Sequence, residues 1–281
     1  MNIRAHEFAL NQPTESFHEE PSEVSCPLPS SSRQPASEVK FASYNIHLGI
    51  GRDGEFRPAR IAAVIDEIGA DVIALQEISL GTPGFNMLRY LSDACGLTAI
   101  AGPTLITNSG QYGNAMLTRL LHGEVHHWDL SMARCEPRAA IDACLTHGTN
   151  RFRVIATHLG LRPSERRDQT QRLLKIIEKD RAYPTVLLGD VNEWFLWGRP
   201  LRWMHRHFER TPALATFPAG RPLFALDRIW VEPRRALKNI SVHVSDSARM
   251  ASDHLPIVAT LDLGPLEHLP QAGDLLTDNL V

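Results

Sequence analysis

Residues 184–194 read Pro-Thr-Val-Leu-Leu-Gly-Asp-Val-Asn-Glu-Trp, and this stretch constrains the chain more than any other. Val186, Leu187 and Leu188 make a short unbroken apolar run that reads as a buried strand. Gly189 then lets the backbone turn or approach a neighbour closely. Asp190 and Asn192 follow two residues apart, so an extended backbone points both side chains to one face. A carboxylate and an amide projecting together from a strand end can act on a metal-bound phosphate or on a water. Taken alone, the cluster reads equally as a strand followed by an Asp/Asn turn. Recurrence of the pattern along the chain changes the balance.

The first strand spans 39–46 and places Phe41, Ser43 and Asn45 on one face, with Asn45 at its end. Ile61, Val64, Ile65 and Ile68 fall at i, i+3, i+4 and i+7, which predicts a helix over 58–68 opened by Pro58 and closed by Gly69. A strand over 72–75 runs into Gln76-Glu77, giving a βαβ-like beginning. Residues 87–95 predict a second helix, and 113–118 a short strand that carries Asn114. Residues 125–130 and 138–146 read as a strand pair, with Arg138 at the start of the second. An arginine there suits a phosphate clamp, although a solvated surface arginine is the commoner case. A strand over 151–159 ends in His158, where a lone histidine is more often structural than catalytic. The helix predicted over 162–179 has heavily charged first turns that read as a solvated face.

Beyond the central strand, Trp194, Phe195, Leu196 and Trp197 crowd one loop. They form either an exposed patch that meets lipid or a base, or a lid packed on the core, with packing favoured for Trp194. A helix over 200–208 follows, in which His205 and His207 read as incidental. Strands over 226–231, 239–244 and 257–263 complete the pattern. Asp227 lies near the start of the first of these, and Ser252-Asp253-His254 stands just before the last.

The chain has 281 residues, enough for a large core. Its net charge of -3 argues against a broad basic surface for long nucleic acid. No apolar run approaches a membrane span, and residues 1–10 lack the layout of a secretory signal. Cys26, Cys95, Cys135 and Cys144 show no CxxC spacing and fit reduced thiols in a cytoplasmic protein, with a Cys135–Cys144 pair left open. Residues 1–38 are rich in Ser, Pro and Glu and read as a disordered leader; 264–281 read as a loose tail. The folded domain is expected over 39–263.

Asn45, Glu77, His158, Asp190, Asn192, Asp227, Asp253 and His254 thus all lie at or beside predicted strand ends. No local spacing links them, so the fold must bring them together. Carboxylates and amides suit a hard, oxygen-preferring cation such as Mg²⁺. Two histidines with spare carboxylates suit general acid–base work near neutral pH. The ordered set Ser-Tyr-Asn45, Leu-Gln-Glu77, Gly-Asn114-Ala, Thr-His158-Leu, Gly-Asp190-Val-Asn192, Leu-Asp227-Arg-Ile and Ser-Asp253-His254 closely resembles the endonuclease/exonuclease/phosphatase superfamily. That superfamily includes pancreatic deoxyribonuclease, abasic-site endonucleases, inositol polyphosphate 5-phosphatases and neutral sphingomyelinases.

The resemblance covers 39–263. It implies an α/β four-layer sandwich, two mixed β-sheets packed together with helices on both outer faces. It also implies a Mg²⁺-dependent phosphoesterase, with Mn²⁺ able to substitute. On the matched positions, Glu77 is the main metal ligand, supported by Asn45 and Asp253. Asp190 and Asn192 position the attacking water and the phosphate. His254 transfers the proton and Asp227 orients it. His158 stabilises or protonates the transferring phosphoryl or leaving group, and Asn114 and Arg138 lean on the phosphate. The presence of His158 favours a phosphodiester substrate over abasic-site chemistry. The 5-phosphatase motif Pro-Ala-Trp-Cys-Asp-Arg is replaced by Leu226-Asp-Arg-Ile-Trp. Mild acidity and the aromatic loop tilt the expectation toward a phospholipid headgroup or small phosphodiester, with peripheral membrane contact through Trp194, Phe195 and Trp197. An endo- or exonuclease acting on nucleic acid is one alternative, and a binding module that has lost its chemistry is another. No obligate protein partner is inferred.

Overall fold

The computed structural model describes residues 38–263, apart from Pro83, Ser109 and 180–182. The expected tail, the expected leader as far as residue 37, and Cys26 lie outside the described residues. Strand β1 (Glu38–Asn45) pairs in parallel with β2 (Val72–Gly81) and antiparallel with β11 (Ile257–Asp262). On one side β4 (Gly110–Thr118) lies against β2, and β3 (Thr98–Thr107) closes that edge; β10 (Leu237–Val242) closes the other. The second sheet runs in sequence order through β5 (Leu121–Asp129), β6 (Ala139–His147), β7 (Asn150–His158), β8 (Thr185–Asp190) and β9 (Asp227–Glu232). Its one parallel pair is β7 with β8. Both sheets are therefore mixed.

The alternation of strand side chains sorts the core into three layers of contact. Between the sheets, Phe41, Ala74 and Met116 meet Phe152, Val154, Val186, Leu188 and Ile229. The Phe41 and Phe152 rings meet edge to face at 5.6 Å. On the outer side of the first sheet, Tyr44, Ile73 and Leu75 bury the apolar stripe of α1 (Pro58–Ile68) together with α2 (Met87–Cys95) and α5 (Asp246–Ala251). On the outer side of the second, Ile155, Leu187 and Trp230 bury α3 (Pro163–Lys179) and α4 (Arg199–His207). Each large apolar side chain enclosed this way contributes roughly 1.5–3 kcal/mol. The result is the four-layer α/β sandwich expected from the sequence.

Among the described strands and α-helices, two carry no sequence expectation. β3 contains Gly102-Pro103, which weakens a strand signal; it is an edge strand with a register shift between Pro103 and Leu105, where a missing N–H is tolerated. α5 is six residues long, too short for a helical period, and is held by Ser245, whose hydroxyl accepts the Ala248 N–H.

The charged first turns of α3 differ from the solvated face expected of them. Glu165 and Arg166 are buried, and the Arg166 guanidinium lies 3.2 Å from the Glu193 carboxylate and donates to the Leu161 carbonyl. Cys95 and Cys135 are free thiols, so the Cys135–Cys144 pair is not formed. No helix among the described residues is long and apolar enough to cross a membrane.

Candidate active site

The inward faces of the strands carry apolar residues along their length and polar ones at one end. In β1 the inward series is Val39, Phe41, Ser43 and Asn45; in β7 it is Phe152, Val154, Ala156 and His158; in β8, Val186, Leu188 and Asp190. Register then aligns the polar ends. Asn45 stands opposite Gln76, His158 opposite Asp190, and Asp190 opposite Asp227. Across the sandwich, Asn45 Nδ2 donates to Asp190 Oδ2 at 3.1 Å and to Glu77 Oε1 at 3.0 Å. Asn45 Oδ1 accepts the His47 N–H.

Local backbone strain aims two of these side chains. A bulge between Leu75 and Ile78 puts Glu77 at φ +54°, and Asn192 sits at φ +50°. Left-handed non-glycine residues cost on the order of 1–3 kcal/mol each, so surrounding contacts must hold them. Asn192 does not reach the site on an extended backbone, as its spacing from Asp190 suggests. It turns back, giving its N–H to Asp190 Oδ1 at 2.9 Å and its amide group to the Leu159 carbonyl at 3.0 Å. Gly189 makes the approach to this corner, with φ +151° and no room for a side chain: a Cβ would lie 1.9 Å from the Thr157 carbonyl oxygen.

Asp190 Oδ2 is the centre of the cluster. Besides Asn45, the Nε2 atoms of His158 and His254 each lie 3.7 Å from it. His254 Nδ1 faces Asp227 Oδ2 at 2.9 Å, and the Thr216 hydroxyl donates to that oxygen. Burial would push His254 down, but the Asp227 and Asp190 carboxylates outweigh it and raise its pKa to about 10. Burial raises Asp190 to about 6, with His254 opposing. At neutral pH the pair is therefore an imidazolium beside a carboxylate. His158 behaves oppositely. Burial first, then Arg138 and His254, holds it well below the usual imidazole range, so it is neutral. Its Nε2 faces Asn192 Nδ2 at 3.0 Å and its Nδ1 faces Arg138 Nη1 at 3.3 Å. A neutral imidazole has one acceptor nitrogen and cannot satisfy both donors.

Arg138 is 4% exposed, which overturns the reading of a solvated surface arginine. Its Nη atoms reach Glu136, and its Nε has no partner among the described residues. Asn114 is buried on β4 and donates to the Ala139 carbonyl at 3.2 Å, beside Arg138. Burial first, then the Glu77 and Glu136 carboxylates, raises the pKa of the Tyr112 phenol. Asp253 is half-buried and accepts from Ser252; no hydrogen bond joins it to Asn45 or Glu77 among the described residues.

Several residues at the site had no sequence signal. Thr216 and Phe217 lie in a segment without periodicity, yet one anchors Asp227 and the other packs its ring 4.8 Å from the His254 ring. Ser252, visible only as part of Ser-Asp-His, donates to the Asn45 carbonyl at 2.8 Å and ties the last loop to β1. The Trp194 ring meets Phe217 and Phe224 edge to face, but 38% of the residue stays exposed, so the packing expected of it is only partial. Phe195, Leu196 and Trp197 are exposed, Trp197 by 72%.

Two donor sets could receive a cation. Ligand atoms of Asp190, Asp227 and His254 all lie within 4.8 Å of one another. In that set the His254 Nδ1 and Asp227 Oδ2 atoms already bond each other. Glu77 and Asn45 offer oxygen donors alone; Oε1 of the half-buried Glu77 accepts from Asn45 and Asn45 Oδ1 accepts from the His47 N–H, which leaves Glu77 Oε2 uncommitted among the described residues.

Residues 42–254 match the family model described as Endonuclease/Exonuclease/phosphatase family. No curated protein matches the chain. Among similar solved structures is an endonuclease/exonuclease/phosphatase from Beutenbergia cavernae DSM 12333, with a TM-score of 0.67 and 23% identity, covering 81% of this chain and 72% of that one. A mannosyl-6-phosphatase from Bacteroides thetaiotaomicron VPI-5482 aligns with a TM-score of 0.60 and 19% identity over 79% of this chain and 98% of its own. A D. rerio TDP2 humanized by 14 mutations gives 0.60 and 17%, over 80% and 99%. At these identities the likeness is one of fold.

Proposed function

Because this chain belongs to the endonuclease/exonuclease/phosphatase family, we propose that it is a divalent-cation-dependent phosphoesterase that hydrolyses a phosphodiester by attack of water. The observation that carries this reading is the convergence of Asn45, His158 and His254 on Asp190 Oδ2, from four different segments of the chain. Nothing in strand packing alone requires two histidines, two carboxylates and two amides to share one buried corner; chemistry does.

In this reading Asp190 and Asn192 hold the attacking water and a phosphoryl oxygen. Asp227 holds the His254 imidazolium through its Nδ1–H, so the Nε2–H faces the reacting atoms and passes its proton there. The neutral His158, with Arg138 and Asn114 beside it, donates toward the phosphoryl oxygens or the leaving oxygen. Glu77 and Asn45 would hold Mg²⁺, or Mn²⁺ in its place, because they offer only oxygen; Asp253 is a further carboxylate near His254. When bound, such a cation supplies charge neutralisation for an anionic phosphodiester. The neighbour named as a mannosyl-6-phosphatase supports phosphoester chemistry as the class.

For substrate, we infer a phospholipid headgroup or small phosphodiester, with peripheral membrane contact through the aromatic loop. Phe195 and Trp197 are exposed two and four residues beyond the buried Glu193 and Asn192 corner, and Trp194 links that loop through Phe217 to His254. The test offers purified protein in Mg²⁺ both phospholipid vesicles and supercoiled plasmid, with Asp190→Ala and His254→Ala as controls. Release of a headgroup by the wild type alone supports the reading. Plasmid nicking by the wild type alone, without headgroup release, replaces it with a nuclease.

A further inference from the structure

Strand β9 separates two different surroundings. Asp227 turns inward to His254, whereas Arg228, the next residue, turns to the outer side of the second sheet. Arg228 is 1% exposed. Its Nε donates to the Ala225 carbonyl at 3.0 Å, and its Nη2 has no partner among the described residues. Burial pulls its pKa down to about 10 against the pull of Asp227 and Glu193. A guanidinium buried this deeply normally sits in an ion pair; among the described residues Arg228 makes none.

Arg228 lines a pocket of about 530 Å³. Leu201, Arg202, His205 and Arg206 reach it from one face of α4, at i, i+1, i+4 and i+5. Leu196 and Trp197 form an apolar wall, and Arg210 adds a fourth arginine. No carboxylate lines the pocket, and none of its four arginines is in an ion pair among the described residues. His205 Nε2 and Thr211 Oγ1 are also buried there without partners among the described residues. Unpartnered polar atoms, converging cations and an apolar wall together describe a site waiting for an amphipathic anion.

We propose that this pocket binds a phosphate-bearing ligand, with the phosphate against Arg228 and the rim arginines and an apolar portion against Leu196 and Trp197. Guanidinium groups match phosphate oxygens in geometry and charge, and a tetrahedral anion can accept from several arginines at once. The site lies on the opposite side of the second sheet from Asp190 and His254, so it is distinct from the catalytic corner and does not depend on the activity proposed for it. The phosphate could come from a lipid headgroup or from a soluble ligand.

The test uses the full chain and two probes: inorganic phosphate, followed calorimetrically, and phosphatidylcholine vesicles with and without phosphatidic acid, followed by co-sedimentation. The variants are Arg202→Ala/Arg206→Ala, which removes two exposed side chains without touching the core, and Arg228→Met. Phosphate binding that both variants weaken by roughly tenfold or more supports the site with a soluble ligand. Sedimentation with phosphatidic acid vesicles alone, lost in the rim variant, supports it with a headgroup. Binding of either probe that the rim variant leaves unchanged, or no binding of either, overturns the proposal. Hydrolysis of a soluble phosphodiester stays unaltered in the rim variant.

Discussion

The Nδ1 atom of His254 lies 2.9 Å from Oδ2 of Asp227, and the Thr216 hydroxyl donates to that same oxygen at 2.6 Å. The carboxylate is thus held from one side and holds the imidazole from the other. This fixes the orientation of the imidazolium and leaves its Nε2–H toward Asp190. Asp227→Asn should lower kcat by about 10²–10⁴-fold while circular dichroism stays native. Thr216→Val should cost less, about 1–3 kcal/mol of stability for the lost donor, with a smaller fall in kcat. A Thr216→Val protein as slow as Asp227→Asn would mean that the hydroxyl has a role beyond anchoring the carboxylate.

The pKa of His254 sets a pH dependence of stability in metal-free protein. The folded value of about 10 exceeds the ordinary 6.5. The folded state therefore holds a proton that the unfolded state releases between those values. This stabilisation is complete below pH 6.5 and is lost as pH rises toward 10, at about 1.4 kcal/mol for each pKa unit. Thermal melts in chelator should show Tm falling over that window. His254→Gln should flatten the fall.

Gly189 is required by geometry. A Cβ there would strike the Thr157 carbonyl oxygen on the neighbouring parallel strand, at a φ that side chains disfavour. Gly189→Ala should cost more than about 3 kcal/mol and disturb Asp190 next to it. A urea midpoint close to the wild type would show that β7 and β8 can part without penalty.

Glu77 and Asn45 form the proposed cation site, distinct from the Asp190–Asp227–His254 cluster. In the wild type, Mg²⁺ should raise Tm as its concentration passes the dissociation constant. Glu77→Gln should shift that titration to higher Mg²⁺ by roughly tenfold or more, and Asp227→Asn should leave it nearly in place. The reverse pattern would move the cation to the histidine cluster.

The sequence made the sheets and much of the corner legible because both follow a period of two. Asn45, His158 and Asp190 end apolar strands on the inward parity, and that parity survives folding. What it concealed was decided through space. Arg138 and Arg166 look like surface residues until Glu136, His158 and Glu193 are seen around them. Arg228 was part of a motif, but only the packing of α4 over β9 reveals its buried, unpaired guanidinium. The spacing of Asn192 from Asp190 suggests an extended backbone, but a φ of +50° is what turns it toward His158. β3 hid behind Gly102 and Pro103, which an edge strand tolerates.

The central claim is that the corner around Asp190 hydrolyses phosphodiesters. The most direct measurement is release of nitrophenolate from bis(p-nitrophenyl) phosphate, with and without Mg²⁺, by wild type, Asp190→Ala and His254→Ala at equal concentration. The account predicts Mg²⁺-dependent release by the wild type and near-complete loss in both variants, each retaining a cooperative melt. Release that either variant preserves, or that chelator leaves untouched, would contradict it.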